Sequence, residues 1–158
     1  METTVTTMIP ELGMFVGILG LALTTILCGI GSSLGLKASA SAAAGVMSED
    51  ASMFSKVMIL VLLPATQGLY GFVIAIIGSG KLVDGMTLAQ GWELFACCLP
   101  MMIAGFTSAL FQGKTSATTI MAAGKKPEIA SKAMLFPAMI EFYALLGLVV
   151  SIMLLGAI

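Results

Sequence analysis

The chain has 158 residues, 59% hydrophobic and only 9% charged, with a mean hydropathy of +1.10 and a net charge of −1. Charge so far below the ~25% usual for soluble domains excludes an ordinary soluble fold. The absence of histidine removes imidazole acid/base chemistry and the usual zinc sites, and the small net charge makes no electrostatic case for a nucleic-acid partner.

Residues 1–10 hold Glu2 and no basic residue, so they lack the positive start of a secretory signal, and the first apolar run is expected to be retained. That run, Leu12 to Leu36, exceeds the about 20 residues that a helix needs to cross a hydrocarbon core. Gly13 with Gly17, and Gly31 with Gly35, form GxxxG pairs, and Lys37 is followed by Ala-Ser-Ala-Ser-Ala-Ala-Ala-Gly. Small residues let backbones approach closely in lipid, so this face suits either a neighbouring copy or another helix of the same chain. A polar link, Ser48-Glu49-Asp50, leads to a second span, Val57 to Gly80. After a loop from Ser79 to Gly91 comes a third, Leu94 to Gly113. The next link, Gly124-Lys125-Lys126-Pro127-Glu128, has Pro127 placed to open a helix. The fourth span, Ala133 to Ile158, alone carries a charge within it, Glu141.

Helical composition continues beyond the membrane through Ala38 to Val46 and Thr115 to Ala123, so the hairpin tips project as a docking surface or end as frayed helix. Cys28, Cys97 and Cys98 lie inside spans without CxxC spacing and read as small packing residues. Lys37 and Lys56 flank the first link, and Lys114, Lys125, Lys126 and Lys132 flank the third; only Lys81 lies at the other end. The positive-inside rule then puts loops 47–52 and 124–128 in the cytoplasm and both termini outside.

At an offset near 76, Lys56 falls on Lys132, Leu69 on Leu145, Gly71 on Gly147 and Val73 on Val149; at 77, Lys37 falls on Lys114 and Ser39 on Ser116. Lysines repeated at matching depth point to duplication of one hairpin, dividing the chain at 1–78 and 79–158. The same register sets Ala65 opposite Glu141, so the first copy lacks the carboxylate.

A carboxylate near the bilayer centre costs about 2.5–3.5 kcal/mol on insertion scales and is a functional hypothesis by default. Glu141 lies 13 residues beyond Glu128, or roughly 20 Å along a helix. Leu63, Thr66, Gln67 and Tyr70 share one face of the second span, and Pro64 lacks the N–H that would occupy a nearby carbonyl. Gln112 lies about 18 Å from Gly124, a depth close to that of Glu141. Such oxygen donors suit a small dehydrated monovalent cation such as Na⁺. The rival is a protonated Glu141 held by those same groups, that is, a site for H⁺.

Leu63-Pro64-Ala65-Thr66-Gln67-Gly68-Leu69-Tyr70-Gly71-Phe72-Val73-Ile74-Ala75, Gln112-Gly113-Lys114, Lys125-Lys126-Pro127-Glu128 and Ile140-Glu141 together resemble the V-type ATPase proteolipid, the rotor-ring component of rotary ATPases, in its bacterial sodium-translocating members. The resemblance spans essentially the whole chain. It implies an all-α membrane protein of two duplicated antiparallel hairpins that assembles with identical protomers into a ring. The ring would be turned by an ATP-hydrolysing head through central-stalk subunits, against a stator membrane subunit bearing a basic residue; the chain itself is non-catalytic. It implies Na⁺ ligands at the Leu63 carbonyl, Thr66, Gln67, Gln112 and Glu141, with Tyr70 as a lid. Phe142-Tyr143 departs from the smaller residues common after the carboxylate. Two other classes compete: a four-helix cation or drug antiporter, which calls for an aromatic-rich pocket around Glu141, and a structural membrane oligomer, which leaves the Thr66, Gln67, Tyr70 array unexplained.

Overall fold

The structure is a computed structural model and describes residues 12–158. Four helices account for nearly all of them: α1, Leu12–Glu49; α2, Ala51–Ser79; α3, Leu88–Lys125; and α4, Pro127–Ala157. Each is long and apolar enough to cross a membrane. α1 and α3, at 38 residues each, run about 57 Å, well beyond a ~30 Å hydrocarbon core. The tips past Lys37 and Lys114 are therefore helix rather than frayed ends. α2, α3 and α4 also begin six residues earlier than their apolar runs, because hydropathy marks membrane depth whereas polar caps mark helix starts. Asp50 opens α2 by accepting the Ser52 N–H at 2.9 Å, and Thr87 and Gln90 form a reciprocal capping box at α3. That bond from Ser52, helped by the nearby Lys56 ammonium, holds the Asp50 carboxyl below its ordinary value.

Glycines set the frame. A Cβ on Gly13 would strike the main chain of Met86 and Thr87, one on Gly91 that of Gly13, and one on Gly113 that of Gly35. Near the links, one on Gly124 would strike Val46. α1 and α3 thus run parallel in constant register, with both links at one end of the bundle. The GxxxG pairs of α1 face α3 of the same chain: Gly31 opposes Phe106, and Gly35 opposes Ala109 and Pro64. α2 packs on α1 where Gly71 meets Cys28 and Thr24, and its repeat partner Gly147 seats α4 on α3 against Pro100 and Ala104.

The core lies between these layers in two clusters. One, around Leu21, Cys28, Ile74, Leu94, Cys98 and Met101, fills the end away from the links. The other, around Met53, Val57, Leu60 and Ile120, fills the link end. All three cysteines are buried, as packing residues should be. The outward surface is apolar, with Phe72, Phe136, Met139, Phe142 and Tyr143 all more than half exposed, which suits lipid rather than water.

Candidate cation site

Duplication with divergence brings the polar residues together. α2 tightens into a 3₁₀ turn at Leu63–Ala65 around Pro64 and resumes at Thr66. The turn does not leave the Leu63 carbonyl free: it accepts the Thr66 backbone N–H and, at 3.0 Å, the Thr66 hydroxyl. One residue on, Gln67 points into the bundle and is fully buried, as is Gln112 on α3. Gln67 Nε2 donates to Gln112 Oε1 at 2.6 Å, while Gln112 Nε2 donates to the Pro137 carbonyl at 3.1 Å and reaches Glu141 Oε2 at 3.4 Å. The Tyr70 hydroxyl donates to Glu141 Oε1 at 2.7 Å, tying α2 to α4.

Glu141 and Tyr70 are half-buried, at the seam where α2 and α4 open outward. The carboxylate thus stands at the edge of the isolated chain while its amide partners lie inside. Sequence reasoning named Leu63, Thr66, Gln67, Tyr70, Gln112 and Glu141, and one network joins Gln67, Tyr70, Gln112 and Glu141, with the Leu63–Thr66 pair beside it on α2. It missed Ser108, whose hydroxyl donates to the Ile140 carbonyl at 3.0 Å and lies 3.4 Å from Gln67 Nε2. The signal that could have found it was spacing, since Ser108 precedes Gln112 by four residues and shares its face. It also missed Ser32, which receives the Gly68 N–H at 2.8 Å and fixes α2 to α1 beside the turn.

Gln67 Oε1 is buried and accepts no hydrogen bond among the described residues. A buried acceptor without a partner costs roughly 1–3 kcal/mol, so this oxygen calls for a donor or a cation. Among the described residues no group of three carboxylates or thiols gathers anywhere, so the donors around Glu141 are mainly neutral oxygens. One anionic oxygen group with neutral amide, hydroxyl and carbonyl oxygens matches the charge of a monovalent cation better than that of a divalent one. Tyr70→Phe removes the phenolic donor and leaves every other group in place. Cation affinity should fall at least about tenfold, the lower end of what a hydrogen bond to a charged group contributes, with Na⁺ titration as the measurement.

The profile of the ATP synthase C family, which describes the C subunits of ATP synthases, matches the chain twice, at residues 19–78 and 95–154. The second match begins 76 residues after the first, at the offset where the sequence repeats itself. The K subunit of the V-type sodium ATPase of Enterococcus hirae is 42% identical over 142 residues, covering 90% of this chain and 91% of that protein. The K subunit of the A-type ATP synthase of Methanocaldococcus jannaschii is 33% identical over 90% of this chain and 62% of its own length. The 16 kDa proteolipid of the V-type proton ATPase of Rattus norvegicus is 22% identical over 92% of this chain and 94% of its own. With two family units across most of its length and four spans to hold them, this chain is a multi-pass membrane protein of the ATP synthase C family.

Proposed function

We propose that this chain is a rotor-ring subunit of a V-type ATPase that carries Na⁺ through the bilayer on Glu141. Gln67 Oε1 carries the reading: a buried acceptor without a donor, on a side chain joined through Gln112 to Glu141. The 42% identity to a sodium ATPase subunit supports the choice of ion, since the relative named for protons is more distant at 22%. In this reading Glu141, Gln67, Gln112, Thr66 and the Leu63 carbonyl ligate the ion, and Tyr70 closes the outer side. The Leu63 and Thr66 oxygens lie 3.0 Å apart, close enough for one small cation to touch both. ATP is hydrolysed elsewhere, by a head that turns the ring through a central stalk.

The physical logic is electrostatic. An empty anionic Glu141 is costly against lipid, so the ring turns past lipid with its sites occupied and gives up the ion to a basic residue of a stator. Ala65 leaves one ion site in four helices. Fewer ions per turn let each ATP work against a steeper gradient, which favours pumping over synthesis. The links at 47–52 and 124–128 face the cytoplasm in this proposal, the termini face outward, and 1–78 and 79–158 are the two hairpin units.

Carbodiimide labelling of Glu141 across pH, with and without Na⁺, tests the ion. Carbodiimide attacks the protonated carboxyl, so Na⁺ at low-millimolar levels or below should block labelling at fixed pH. Labelling indifferent to Na⁺ would make the site one for H⁺.

A further inference from the structure

A groove separate from the cation site opens between α2 and α4 near the links, with a volume of about 240 Å³. Its water-side rim is Ser55 and Lys56 on α2 and Ser131 on α4. One turn deeper its walls are apolar, with Ile59 and Leu60 below the first pair and Met134 below Ser131. The groove is therefore polar and basic at its water end and apolar toward the bilayer centre. Met134 stands seven residues before Glu141, so its floor lies roughly 10 Å along α4 from the carboxylate.

We propose that this groove binds one anionic phospholipid of the leaflet on the link side, its phosphate against Lys56, Ser55 and Ser131 and an acyl chain along Ile59 and Met134. The polarity gradient sets the orientation, and charge complementarity sets the headgroup. The Ser-Lys pair occurs in both copies of the repeat, as Ser55-Lys56 and Ser131-Lys132, so both helices bring a hydroxyl and an ammonium to one level. Among the described residues neither serine hydroxyl takes part in a hydrogen bond within the chain, and both are exposed. Opposing charges are Asp50, already bonded to Ser52 N–H but close enough to feel Lys56, and Glu128, one helical turn before Lys132. Of the charged groups near the links only Lys56 lines the groove, so its rim carries one ammonium group and no carboxylate. Basic clefts between membrane helices suit anionic headgroups, each lysine near the surface contributing about fivefold in affinity.

The test uses the full chain in mild detergent, equilibrated with phosphatidylglycerol or phosphatidylcholine, with retained lipid counted by native mass spectrometry. Phosphatidylglycerol should be retained in preference, and Lys56→Gln should reduce that preference about fivefold while Na⁺ protection of Glu141 stays unchanged. Lys114→Gln, outside the groove, should leave it intact. Ser131→Ala, which keeps every charge, should weaken retention by a smaller factor and stands in if Lys56→Gln does not fold. Equal retention of the two lipids, equal losses in Lys56→Gln and Lys114→Gln, or displacement by inorganic phosphate at matched ionic strength would each overturn the proposal. The last outcome would make the rim a simple anion site without a place for acyl chains.

Discussion

Glu141→Gln is expected to reduce Na⁺ transport to background while the protein still folds and assembles. The substitution keeps the shape of the side chain, and its amide oxygen can still receive the Tyr70 hydroxyl, so the α2–α4 seam keeps its bond. What disappears is the one anionic ligand. Removing one partner of a buried charge pair costs about 3–5 kcal/mol, which lowers Na⁺ affinity at least ~100-fold. Carbodiimide labelling at position 141 should vanish as well, because no carboxyl remains there to react. Reconstituted vesicles with ²²Na⁺ uptake supply the measurement, and Na⁺ transport by the variant above background would remove Glu141 from its role. Gln67→Ala and Gln112→Ala should instead weaken binding without abolishing it, each deleting one neutral oxygen.

Gly113→Val should damage the fold more than any change in the site. A Cβ at Gly113 meets the main chain of Gly35, which cannot turn away as a side chain can. Overpacking against side chains already costs about 1–3 kcal/mol, and main chain yields less, so the melting temperature should fall by roughly 10 °C. The detergent-stable assembly should be lost with it. Gly45→Ala is the control, since a Cβ there meets nothing within 4 Å and helix propensity favours alanine. A Gly113→Val protein that melts with the wild type would show that α1 and α3 do not rely on this contact.

The repeat at offset 76 coincides with the spacing between the two family matches, because lysines at matched depth survive in a sequence where apolar matches are cheap. Helix ends were less legible: the residues opening α2 and α3 are polar, and hydropathy sees only the bilayer. The GxxxG pairs were ambiguous, since small residues permit close approach without saying to what.

Residue order alone dictates four membrane spans, a duplicated hairpin, one retained carboxylate opposite Ala65, and the set of oxygen-bearing side chains at its depth. Those follow from hydropathy, periodicity and the cost of a charge in lipid, all of which are local or additive along the chain. The packed helices were needed to show that the glycines of α1 face α3, that Tyr70 and Gln112 meet Glu141 across three helices, and that Ser108 joins them. They were needed too for the bond between Leu63 and Thr66 and for the Gln67 Oε1 left without a donor. Each of these depends on how helices rotate and approach, which glycine-to-backbone contact fixes and no single segment encodes.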